Sequence, residues 1–138
     1  MLTSYPIKIL LLLELAVQGE KEPLAWLLEN GYPELAAFAN AIRKDLDAFV
    51  WLMKHGYPDL AALTNAIEDD YEAYKWLKEN NRDFYIVLAD AVQPKDYAVE
   101  YLRENKLEIF LRLCVVIKSV KDQQADDAWD YHKASPTR

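Results

Sequence analysis

Glycine occurs three times in 138 residues, cysteine once and histidine twice. With so little glycine there is no Gly-rich loop to cradle a phosphate and no Gly-x-Ser-x-Gly elbow for a serine nucleophile. The lone Cys114 cannot form an intrachain disulfide, which fits a reducing, cytoplasmic setting. It stands inside the apolar run Ile109 to Ile117 and reads as a small buried hydrophobe rather than a reactive thiol. His55 and His132 lie at ligand spacing from no second His or Cys, so no metal and no cofactor is expected. The apolar run Ile9 to Leu13 is bracketed by Lys8 and Glu14 and falls far short of the roughly 20 residues of a membrane span. That glutamate, with no small-x-small cleavage pattern, also argues against a signal peptide. Basic residues are in deficit, 16 against 23 acidic, for a net charge of −7. Such a chain repels phosphate backbones, so neither nucleic acid nor a membrane is the expected partner. No Ser, His and Asp set is brought together by periodicity, and the expectation is that the protein is not an enzyme.

What is present is apolar content of 52%, enough for one domain that buries roughly two thirds of its unfolded surface without disulfides or metal. The chain is self-similar. Trp26, Trp51, Trp76 and Tyr101 are spaced by 25 residues. Rows of 25 begun at Lys21 and at Leu46 agree at 12 positions, against roughly one or two expected by chance at ordinary composition. Residues 71–95 keep Trp76-Leu77 but replace Gly-Tyr-Pro with Asn81-Arg82-Asp83, and residues 96–118 diverge further.

Each row carries two short helices. Leu24 and Leu27, or Phe49 and Leu52, make one face of a first helix that ends at Asn30-Gly31 or His55-Gly56. Pro33 or Pro58 opens a second, with Leu35, Phe38, Ala39 and Ile42 at i, i+3, i+4 and i+7. At ~1.5 Å per residue each is about 15 Å long, too short to stand alone, so it must stack on its neighbours. Tyr5-Pro6 opens a half repeat, residues 5–18, whose apolar residues cover more than one side. Either the C-terminal segment folds over that surface or a second copy covers it, and Leu11, Leu12 and Leu15 are the candidates for self-association. Residues 119–138 break the period and turn polar. Ala125, Ala128, Trp129 and His132 there fall at helical spacing, which predicts a docked final helix before the polar end at Ser135-Pro136-Thr137.

The whole resembles the α-solenoid class of HEAT, armadillo and ankyrin arrays, in architecture only, over residues 5 to 118. The expected fold is all-α: a short right-handed α-solenoid of about four helix pairs (21–45, 46–70, 71–95 and 96–118) after the half repeat. The resemblance implies a protein or peptide interaction module, a scaffold or adaptor. The alternative is a structural homodimer associating through the apolar N-terminal cap.

Three constellations stand out. Asn40, Asn65 and Asp90 recur at one place of successive second helices, away from the core stripe, and Val115 ends the series. Armadillo-like arrays hold extended peptides with a comparable ladder, whereas a purely structural set would bond neighbouring turns. Trp26, Trp51 and Trp76 either stack on a partner or pack between units. Glu68, Asp69, Asp70 and Glu72 crowd one connection without calcium-loop spacing, and Asp45 and Asp70 stand where helix N-caps belong.

Overall fold

A computed structural model describes residues 1–134, with side chains through residue 129, and its regular structure there is entirely helical. After a 3₁₀ turn at Leu2–Ser4 come α1 (Ile7–Val17), α2 (Lys21–Glu29), α3 (Pro33–Ile42), α4 (Leu46–Lys54), α5 (Pro58–Ile67), α6 (Tyr71–Glu79), α7 (Asp83–Val92), α8 (Asp96–Glu104) and α9 (Glu108–Ala134). Successive even-numbered helices start 25 residues apart, and so do the odd-numbered helices from α3 onward.

Local chemistry sets these boundaries. The Asp45 carboxylate accepts the N–H of Asp47 at 3.0 Å and of Ala48 at 3.3 Å, and Asp70 accepts that of Glu72 at 3.0 Å, so both cap the helices they precede. At the other end of the even-numbered helices, Asn30, Asn80 and Asn105 donate Nδ2 to the carbonyl four residues back, at 2.8–2.9 Å. His55 Nδ1 does the same to Trp51 at 2.9 Å, which requires the proton on that nitrogen because a carbonyl only accepts. The next residue turns left-handed in every case: Gly31 at φ 91°, Gly56 at 87°, Asn81 and Lys106 at 57°.

The odd-numbered helices form an inner series. α1 packs on α3, α3 on α5, α5 on α7 and α7 on α9, while α2, α4, α6 and α8 each pack between consecutive members. α9 also packs on α1, so the series closes on itself. Leu13, Val17, Leu35, Phe38, Ile42, Leu63, Leu88 and Leu113 fill its apolar interior. Across the closure, Arg112 grips the buried Glu14 with two bonds, Nε to Oε1 at 3.1 Å and Nη2 to Oε2 at 3.0 Å. The N-terminus is tied down as well: Leu2 is buried and its N–H donates to the Tyr85 hydroxyl at 3.1 Å, and the Tyr5 hydroxyl donates to Glu34.

The surface of the N-terminal half repeat is met by the first part of α9, within the fourth row, and not by the segment after residue 118, the cover expected from within the chain. Leu11, Leu12 and Leu15 are half-buried, with Leu12 packed against the core. The segment expected as a separate final helix is the continuation of α9. Ser119 holds the place where Lys44 and Asp69 turn left-handed, and no Gly or Pro follows before residue 134 to stop the helix. The continuation crosses the C-terminal end of α3, where Lys121 Nζ and Gln124 Nε2 donate to the Ile42 carbonyl at 2.7 and 3.3 Å. Elsewhere the residue after each inner helix serves the helix before it: Arg43 donates to the Val17 carbonyl and Gln93 to that of Ile67, both at 3.2 Å. Glu68 stands at that place for Ile42 and has no proton to give, so α9 supplies the donors, with Lys121 also 3.4 Å from Glu68. Cations are favoured at these carbonyl ends by the helix dipole. Beyond this contact Ala125, Ala128 and Trp129 are exposed, His132 lies outside the described side chains, and residues 135–137 lie outside the described residues. No helix among the described residues is long and apolar enough to cross a membrane.

A Cβ on Gly56 meets nothing within 4 Å, whereas one on Gly19, at φ 94°, meets the Arg43 guanidinium at 2.9 Å. Gly56→Ala therefore lowers the unfolding free energy by about 1 kcal/mol through backbone strain alone. Gly19→Ala carries the same strain and also pushes the Arg43 guanidinium off the Val17 carbonyl, and in urea titrations that second loss is absent when Gly19→Ala is introduced into an Arg43→Ala background.

Candidate functional site

The polar ladder splits in the structure. Asp90 on α7 is buried, at 6% exposure, and its carboxylate accepts from Tyr74 Oη of α6 at 3.0 Å, from Lys95 Nζ at 3.1 Å and from the Tyr97 hydroxyl of α8. Burial alone pushes this carboxyl up, but the bonds from Tyr97, Lys95 and Tyr74 outweigh it and hold it below the ordinary carboxylate value. Burial and the same carboxylate push Tyr97 up to about 12. Asp90 thus joins three helices. Asn40 and Asn65 are half-buried, and their side chains have no hydrogen-bond partner among the described residues.

The aromatic ladder splits too. Trp26 stacks on Tyr32 with ring centres 6.2 Å apart, and Trp51 on His55 and Tyr57 at 4.1 and 6.1 Å. In the third row Arg82 replaces that tyrosine and its Nε lies 3.5 Å from Asp59, so among the described residues no ring stacks on Trp76.

Asn65 and Trp76 meet in one place. α4 and α6 each pack on α5, and between them lies a cleft of about 210 Å³ lined by Phe49 and Met53 of α4, Pro58, Ala62 and Asn65 of α5, and Ala73 and Trp76 of α6, with Asp70 and Glu72 at its edge. A neighbouring hollow shares Phe49 and Asn65 and continues past Leu46 and Glu68 to Lys121. Asn40, Trp26 and Trp51 lie outside this cleft, and so does Asp90. A larger cleft of about 560 Å³ opens between Gln18, Arg43 and the middle of α9.

The apolar wall on α4 was not singled out from the sequence, though a signal for it exists. Leu46, Val50 and Met53 fall at i, i+4 and i+7 and all three are exposed, Leu46 at 71% and Met53 at 53%, while Phe49 beside them is half-buried and packs on the core. At the places of Val50 and Met53, α6 and α8 carry Lys75 and Lys78, and Glu100 and Arg103. α4 therefore has a second apolar face that points away from the core, and α8 does not.

Cys114 is buried, its thiol donates to the Leu88 carbonyl at 3.5 Å, and burial pushes it up to about 12. No group of three His, Cys, Asp or Glu side chains among the described residues is placed to hold a metal ion.

Asp90→Asn removes a charged acceptor with three donors and lowers stability by about 2 kcal/mol at neutral pH. A depressed carboxyl contributes fully above its unfolded value of about 3.9, and the contribution is lost as pH falls through the lower folded value. Unfolding curves of wild type and variant taken from pH 7 down to pH 2 therefore converge below pH 4. Compared with known proteins, the chain matches no family model, no curated protein and no solved structure.

Proposed function

We propose that the protein is a short helical-repeat module of the α-solenoid kind, four 25-residue helix pairs after a half repeat, that binds a protein or peptide segment in the α4–α6 cleft. The observation that carries this reading is the pairing of Asn65, whose amide has no hydrogen-bond partner among the described residues, with Trp76, on which none of the described rings stacks, beside Phe49 and the exposed Met53. Large aromatic side chains beside a free amide suit a peptide, which offers both apolar side chains and backbone hydrogen-bonding groups. A volume of about 210 Å³ lies below the roughly 300–1,000 Å³ of small-molecule pockets and fits one or two side chains of a longer ligand. Both halves of the site come from places where the rows agree, while its exposure comes from places where they differ. The packing of α9 on α1 favours this reading over self-association through Leu11, Leu12 and Leu15.

Affinity capture from native lysate separates the two, using wild type, an Asn65→Ala/Trp76→Ala variant and a control Glu100→Ala/Arg103→Ala variant of equal helical content. A protein retained by wild type and control but weakened about 30-fold in the cleft variant supports the cleft, that being the effect of losing one binding hot spot. Equal capture by all three contradicts it.

A further inference from the structure

The two charged side chains that line the α4–α6 cleft are both carboxylates, Asp70 and Glu72. Neither forms an ion pair among the described residues. One Asp70 oxygen caps α6 through the Glu72 N–H, and the other has no hydrogen-bond partner among the described residues. Glu68 and Asp69 immediately precede them and add negative charge, of which Glu68 is shared with Lys121. Lys75 lies on α6 but does not line the cleft. The rest of the lining is apolar except for Asn65, and none of the described rings stacks on the indole of Trp76. A cation beside an indole face is attracted by the ring quadrupole, and the aliphatic stem of Arg or Lys lies well on Phe49, Met53 and Trp76.

We propose that the segment this cleft takes is basic: an apolar side chain enters between Phe49, Met53, Ala62 and Trp76, while an adjacent Arg or Lys reaches Asp70 and Glu72. This rests on the peptide-binding reading and adds the chemistry of the partner. The net charge of −7 works in the same direction, since it speeds encounter with a cationic partner and slows encounter with an anionic one. An acidic segment would place like charges together at the cleft edge, a juxtaposition that disfavours it.

The test uses two synthetic peptides, acetyl-Gly-Ser-Arg-Leu-Arg-Ser-Gly-amide and the same peptide with both arginines replaced by glutamate, each titrated to millimolar into ¹⁵N-labelled full-length protein. The Arg peptide is expected to shift the Trp76 indole N–H and the Asn65 side-chain amide, with affinity about tenfold above that of the Glu peptide in low salt. That advantage shrinks on adding 0.5 M NaCl and in an Asp70→Asn/Glu72→Gln variant, where asparagine preserves the cap on α6. Equal shifts of Trp76 and Asn65 by both peptides overturn the basic partner and leave the peptide cleft standing. Absence of shifts at Trp76 and Asn65 with either peptide overturns both.

Discussion

Everything in this protein depends on eight helices of nine to eleven residues, α1 to α8, finding neighbours, because a helix of two to three turns does not hold together in water by itself. For the interior helices the neighbours are the adjacent members of the series. For α1 and the first part of α9 there would be none on one side, and the structure meets that need by packing the two on each other. The buried Glu14 marks the joint. A carboxylate taken out of water needs a cation with good geometry, and Arg112, 98 residues later, supplies a two-pronged grip. A closed series buries both ends of the chain's apolar stripe. It also leaves the outer helices α2, α4, α6 and α8 with faces that meet solvent.

Within that outer layer the rows are not equivalent, and their differences are chemical. At α8 the outward places carry Glu100 and Arg103, the ordinary solution for a surface helix. At α4 they carry Val50 and Met53, and Met53 shares a cleft with the α6 tryptophan, from which the local tyrosine partner has been removed by the change to Arg82. The result is an apolar cleft lined also by one amide without a hydrogen-bond partner and two carboxylates without an ion-pair partner among the described residues, the combination from which the basic-peptide reading grows. The same row replaces Asn with Asp90, and there the chain provides its own donors, Tyr74 and Tyr97, so the position is scaffold instead of surface.

Much of the local structure was legible beforehand. The 25-residue spacing placed helix boundaries, Asp45 and Asp70 announced caps, and Gly31 and Gly56 announced left-handed turns, since each of these is decided by residues close in sequence. Closure was not legible. The apolar pattern is the same for an open stack as for one whose last helix returns to its first, and the curvature that decides between them accumulates from the sizes of packed side chains. Likewise the Asn40, Asn65 and Asp90 series reads as one ladder because spacing fixes only which face a residue shares. Whether a side chain finds a partner depends on what the neighbouring helices carry, and Tyr74 and Tyr97 are 16 and 7 residues away from Asp90. The uninterrupted run of α9 past residue 118 follows from an absence, that of any stop signal after Ile117, which a polar composition conceals.

Native-state hydrogen exchange of the full-length chain tests the closure most directly. In an open array the terminal helices open first, at free energies well below those of the central ones. With α1 and α9 packed on each other, the buried amides of residues 10–17 and 110–117 exchange at opening free energies within about 1 kcal/mol of those in α3 and α5, and they report one cooperative unfolding. Exchange of α1 and of residues 110–117 at much lower free energies than α3 and α5, with the two ends opening independently, contradicts the account.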